Sequence, residues 1–261
     1  MQKRSVFVLL MVVVALWIGV SADASLVVVN PGGSWSSSGN SGGGSSAITG
    51  TEADAHGGNG SLEMYGDRTR FQYIEIPYIG LLSDLDALSF EWQVATDSTS
   101  NLSPDYTPAV RLLIYDPLAG PFAFSELIWE GAYNGYYGNY THGDWITTDV
   151  LGDDEVMWRY VTGLGTTLFP PNNALGLLSP DDWATSPYFS SQAVVYGVSF
   201  GVGSSVGAGF HAFGDYLTLG FDGESTTFDF EPVSVVPEPA SLSLLGLGIA
   251  ALAARRIRIR K

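Results

Sequence analysis

Between residues 71 and 230 the chain never holds a helical period long enough to make a helix. Apolar, β-branched and aromatic residues recur instead in short blocks cut by Gly, Pro, Asn or Asp, the pattern of strands and turns. The blocks fall at 71–76, 87–94, 108–115, 124–130, 145–150, 156–161, 192–202, 216–221 and 226–230. Within 88–94, Leu88, Phe90, Trp92 and Val94 share one parity while Ser89, Glu91 and Gln93 take the other, so this strand buries one face. The block from Val110 to Tyr115 is apolar on both sides and is expected at the centre of a sheet. Val194, Tyr196, Val198, Phe200 and Val202 alternate with Val195, Gly197, Ser199 and Gly201, which predicts a bulky inner face and a flat outer one against which a ligand or a neighbouring sheet can lie.

Short strands at regular spacing predict an all-β fold, a two-sheet jelly-roll-like sandwich. The chain has no cysteine, so disulfides contribute nothing and the core must hold the fold. Aromatics at 13% supply large buried areas for that purpose. Residues 25–60 are rich in Gly and Ser and read as a flexible lead-in, and 61–235 as the sandwich itself. A second irregular stretch, 164–190, carries Pro170, Pro171, Pro180 and Pro187; loops of that length usually cover or bind something.

The two ends differ from the middle. Lys3 and Arg4 precede an apolar run from Val6 to Val20, and Ala22-Asp23-Ala24 provides the small residues that a signal peptidase reads. Residues 1–24 are therefore expected to be a signal peptide, cut after Ala22 or Ala24. At the other end, Pro237-Glu238-Pro239 introduces an uncharged segment, 240–254, followed by Arg255, Arg256 and three further cations. As a helix that segment reaches about 22 Å, short of the roughly 30 Å of a bilayer core, and terminal cations favour a cytoplasmic C-terminus.

In its Pro-Glu-Pro triplet, short Leu/Gly/Ala-rich helix and Arg-rich end, the segment 236–261 resembles the PEP-CTERM sorting signal of Gram-negative bacteria. The resemblance implies processing by an exosortase-type membrane protease, a transient inner-membrane anchor over 240–254, and delivery to the cell surface or extracellular matrix. The same tail is also labelled after ice-binding proteins, as an ice-binding protein C-terminal domain; a shared sorting tail implies nothing about ice. A second resemblance covers Gly60-Ser61-Leu62-Glu63-Met64, the block from Leu85 to Trp92, that from Ile128 to Gly135, and the closing run from Gly220 to Glu231. These are similar to an exported β-sandwich module common among PEP-CTERM proteins, laid out like concanavalin-type and carbohydrate-binding jelly rolls.

Of eleven Lys and Arg, seven lie in the two end segments, leaving Arg68, Arg70, Arg111 and Arg159 between them. Of 27 acids, only Asp23 and Glu238 lie in the ends, leaving 25. So acidic a domain excludes nucleic acid as a partner, repels anionic surfaces and tolerates divalent cations.

The stretch from Trp129 to Trp145 is the sequence's candidate for ligand binding. Trp129, Tyr133, Tyr136, Tyr137, Tyr140 and Trp145 offer rings for sugars to stack on, among Asn, Asp and His that hydrogen-bond hydroxyls; the alternative is a hairpin whose rings pack back on the sandwich. Exopolysaccharide is the expected partner. A catalytic role is not expected: Glu91 and Glu130 each adjoin a tryptophan, but strand carboxylates facing water are the simpler reading, and His56, His142 and His211 form no cluster. No cofactor is expected; Asp153-Asp154-Glu155 and Asp181-Asp182 are acidic enough for calcium but lack the spacing of a calcium loop. The competing readings are a structural matrix component without a discrete ligand and a glycan-active hydrolase.

Overall fold

A computed structural model of the chain describes residues 24–51, 58–100, 106–161, 166–167 and 176–232. The expected signal peptide up to Asp23 and the sorting segment, including Pro237, Glu238, Pro239, Arg255, Arg256 and the membrane helix expected over 240–254, lie outside the described residues; Ala24 begins the first strand. Among the described residues no helix is long and apolar enough to cross a membrane.

The strands are β1 (Ala24–Val29), β2 (Trp35–Ser36), β3 (Ser45–Thr49), β4 (Ser61–Tyr65), β5 (Arg70–Ile74), β6 (Gly80–Leu81), β7 (Leu85–Val94), β8 (Ala109–Tyr115), β9 (Phe124–Glu130), β10 (Ile146–Asp149), β11 (Trp158–Val161), β12 (Thr166–Thr167), β13 (Val194–Gly201), β14 (His211–Phe221) and β15 (Glu224–Phe230). One short helix, α1 (Pro180–Thr185), interrupts them, started by Ser179 accepting from Asp182 N–H. Every expected block carries a strand.

β14 organises the first sheet. Along one edge it pairs with β7, which carries β10 outside it. Along the other edge, β4 pairs with its first part and β15 with its second, flanked by β3 and β1. All of these pairs are antiparallel except β1 with β15. The second sheet runs β12-β11-β9-β8-β13-β5-β2, with β6 also on β13. β8 sits between β9 and β13, the central place its apolar pattern predicts.

The inner faces meet as the alternation requires. Leu88, Phe90, Trp92 and Val94 from one sheet and Val110, Leu112, Ile114, Leu127, Trp129, Val198 and Phe200 from the other form one core. Phe90 lies edge-on to Trp129 at 4.8 Å and to Phe200 at 5.4 Å between ring centroids. Each such side chain stabilises the fold by about 1.5–3 kcal/mol on burial, which replaces the missing disulfides.

Two expectations need correction. Residues 25–60 are no detached lead-in: β1, β2 and β3 belong to the sandwich, and Trp35 is buried against Phe71, Phe228 and Phe230. Gly and Ser mask β2 and β3, whose apolar residues are few and separated, whereas β1 carries a contiguous apolar run, 26–29, that lies mostly exposed at the sheet edge. In β13 the strict alternation fails, because a bulge between Val195 and Gly197 inserts an extra residue. Val195 therefore joins Val198 and Phe200 inside, Tyr196 is left half-buried, and Gly197, Ser199 and Gly201 remain on the outer side.

A second bulge interrupts β14 between Asp215 and Thr218. There the buried Asp215 Oδ1 accepts from the backbone N–H groups of Tyr216 and Phe230, each at 2.9 Å, satisfying donors near the broken register.

Candidate functional site: a groove on the outer face of the second sheet

β8 turns Val110, Leu112 and Ile114 inward, so Arg111 between them faces out. On the flanking β9 the outer positions are Glu126, Ile128 and Glu130, and on β11 they are Trp158 and Tyr160. β5 contributes Arg70 from the other side, and the turn before it contributes Arg68. Outer positions of the intervening β13 are small, so the bulk lies on the flanks. The result is a groove of about 530 Å³. Its aromatic lining is Tyr106, Tyr137, Trp158 and Tyr160.

The charges in the groove are ordered. Arg70 Nη1 donates to Glu126 Oε1 at 2.7 Å. Arg111 is only 3% exposed, and Glu126 Oε2 lies 4.0 Å from its Nε, too far for a hydrogen bond. Arg111 Nε and Nη1 are buried without a hydrogen-bond partner among the described residues. Burial, then the neighbouring Arg70, lowers the Arg111 guanidinium to about 10, with Glu126 and Glu130 acting the other way; it is still charged at neutral pH. Burial pushes the Glu130 carboxyl up against the opposing charge of Arg111. The Trp158 indole also opposes that rise, although its Nε1 closes no hydrogen bond of normal geometry.

The aromatic stretch from Trp129 to Trp145 divides between core and groove. Trp129 is wholly buried, edge-on to Phe90 and Tyr136, and its Nε1 donates to Glu155 Oε2. Tyr136 packs against Trp92 and donates to Glu155 Oε1 at 2.9 Å. Tyr140 also packs on Trp92 and donates to the Tyr106 carbonyl at 2.9 Å. Trp145 is half-buried, with Nε1 inside. Tyr137 alone of the six lines the groove, edge-on to Tyr106. Tyr133 is 39% exposed, and its hydroxyl is pushed up by burial and by nearby Glu130 and Tyr106. The stretch is no hairpin but a crossover from β9 in the second sheet to β10 in the first, fastened to the groove wall at Gly131, whose N–H donates to Thr107 Oγ1 at 3.0 Å; a Cβ there would strike the Thr107 side chain at 2.6 Å.

The groove residues that sequence reading missed are Arg68, Arg70, Arg111, Tyr106, Trp158 and Tyr160. The available signals were an arginine inside an otherwise apolar strand and two aromatics sharing one parity of β11.

Glu91 and Glu130 lie on the outer faces of different sheets, with the core between them, so they do not form a pair. Gly203-Ser204-Ser205-Val206-Gly207 has Gly-x-Ser-x-Gly spacing, and Ser205 has φ 75°, but the segment joins two strands rather than a strand and a helix. The imidazole of His211 is held at both nitrogens, Nδ1 by Asp97 at 2.7 Å and Nε2 by Glu63 at 3.1 Å. Of the acidic clusters, Glu155 is turned inward onto Trp129 and Tyr136, and Asp181 and Asp182 occupy the first turn of α1. Among the described residues no three His, Asp or Glu side chains are grouped to hold a metal ion.

The fold and the groove define an all-β sandwich with one aromatic, arginine-containing outer face. Residues 235–258 match the PEP-CTERM protein-sorting motif. That motif marks an exported surface protein sorted by exosortase, a membrane protease, with a transiently membrane-anchored C-terminus. No curated protein and no solved structure matches the chain.

Proposed function

We propose that the protein is a non-catalytic module of the cell surface or extracellular matrix that contacts exopolysaccharide through the groove on its second sheet. The observation that carries this reading is the set of four aromatic side chains, Tyr106, Tyr137, Trp158 and Tyr160, around one concave surface that also holds charged hydrogen-bonding groups. Sugar rings present apolar faces to aromatics and hydroxyls to polar neighbours, and such concave surfaces are where ligands bind. The sorting motif is compatible with the same reading, since export takes the sandwich out of the cell, where a partner polysaccharide would be met.

Affinity electrophoresis of the surface-released protein in gels containing the producing cells' exopolysaccharide tests the proposal. Retardation that disappears in Tyr137→Ala with Trp158→Ala is the expected result. A native protein that migrates unretarded favours a structural matrix component. Depolymerisation abolished by Glu130→Gln would make the protein a hydrolase. Mass spectrometry of the same material reads both ends, and a C-terminus near Pro239 is expected after exosortase processing.

A further inference from the structure

Three of the four arginines between the end segments, Arg68, Arg70 and Arg111, line one groove on a domain whose remaining surface is heavily acidic. The local groups do not cancel. Glu126 is engaged by Arg70, and Glu130 is the one carboxylate in the lining, so three guanidinium groups face two carboxylates. The unmatched hydrogen-bonding capacity sits on the most deeply placed cation: two buried nitrogens of Arg111 close no hydrogen bond among the described residues, and Glu126 Oε2 stands 4.0 Å from its Nε, near enough to offset charge but not to accept. Leaving a buried, charged donor unpaired is costly, so such a group is a receptor for an acceptor that arrives with a ligand. Arg68 stands exposed at the rim and makes no ion pair among the described residues.

We infer that the groove selects an acidic glycan, docking the oxyanion of a charged sugar residue on Arg111 while neighbouring sugar rings lie against Trp158, Tyr160 and Tyr137. The inference rests on the glycan-binding reading above and names the class of sugar. A guanidinium offers parallel N–H donors in a plane, which matches a carboxylate or sulfate ester better than a neutral hydroxyl. Elsewhere the acidic coat repels an anionic polymer, so this groove is its landing point. A neutral glycan would gain from the aromatics but would leave the Arg111 donors opposite weaker acceptors.

The test uses the surface-released protein and three forms of the producing cells' exopolysaccharide: native, carboxyl-reduced and desulfated. Binding is measured by affinity electrophoresis. The native polymer is expected to bind at least about tenfold more tightly than the form that has lost its charged groups, on the scale of one charge-assisted contact. Loss on carboxyl reduction identifies a uronate-type carboxylate, and loss on desulfation identifies a sulfate ester; either supports the inference. Arg111→Gln should abolish the preference for the charged form while retaining residual binding. Because that substitution is buried, the exposed Arg68→Gln provides a second variant, expected to weaken only the charged form. Equal affinity for all three forms overturns the inference and leaves the glycan-binding reading standing. Absence of binding to every form, with the protein folded by circular dichroism, overturns both.

Discussion

The indole N–H of Trp129 donates to the Glu155 carboxylate inside the sandwich. The same carboxylate accepts from Tyr136, so the loop after β10 is bound to the start of the aromatic crossover between the sheets through one acidic side chain. Residues that resemble a sugar platform in the sequence are in this way committed to holding the groove's supporting crossover loop in place.

Removing that acceptor should loosen the crossover loop. Glu155→Ala leaves the Trp129 N–H and the Tyr136 hydroxyl without their carboxylate, at a cost of about 1–3 kcal/mol for a buried donor left unpaired. Glu155→Gln keeps an acceptor and should lose less. Urea unfolding monitored by tryptophan fluorescence measures both; equal losses would show that the hydrogen bonds contribute nothing.

The same carboxylate has a signed pH effect. Burial raises the Glu155 carboxyl above its usual 4.5, with Trp129 and Tyr136 opposing. A carboxyl whose folded pKa exceeds its unfolded one holds extra protons when folded. Its stabilising contribution is complete below the unfolded value and is lost as pH rises through the folded one. Glu155→Gln does not titrate, so its stability relative to the native protein should improve as pH rises from below the ordinary 4.5 through the raised folded pKa. A difference that stays constant across this range would count against the raised pKa.

Trp129 and Tyr137 should separate structure from recognition. Trp129→Ala empties the centre of the core and is expected to cost about 3–5 kcal/mol. Tyr137→Ala, at a half-buried position on the groove, should cost far less stability while reducing glycan retention. Melting temperatures paired with affinity electrophoresis decide this; comparable destabilisation by both would place Tyr137 with the core residues.

Gly214 lies beneath the Phe200 ring, where an added Cβ would collide with the ring edge. Gly214→Ala should therefore destabilise by about 1–3 kcal/mol, the usual cost of overpacking a filled core. Thermal unfolding provides the measurement, and an unchanged melting temperature would mean that the two sheets separate freely at this point.

At Asp215 the expected loss has another origin. Asp215→Ala removes the acceptor for two backbone N–H groups at the β14 bulge and should cost about 1–3 kcal/mol. Asp215→Asn retains an oxygen and should recover part of it. Hydrogen exchange at the Phe230 amide reports the local effect: exchange in Asp215→Ala as slow as in the native protein would contradict the role assigned to the carboxylate.

The sequence by itself determined the strands and the destination. Side chains alternate with a period of two along an extended chain, so the inner face of β7 and the central place of β8 follow from local order. The sorting tail is likewise a contiguous signal, matched at 235–258. The edge of the sandwich was harder to read: β3 has only a weak pattern of its own and is anchored by pairing with β4, and β1, though apolar, lies mostly exposed and is placed only by its parallel pairing with β15. Only the tertiary structure decided which aromatics are buried and where the groove lies. Trp129 and Tyr137 belong to the same short aromatic stretch, yet one packs between two sheets and the other faces out. Arg68, Arg111 and Trp158 lie far apart in the chain and meet because β11, β9, β8, β13 and β5 are neighbours in one sheet. Strand order is a non-local property fixed by how the whole core closes, so residue periodicity does not encode it.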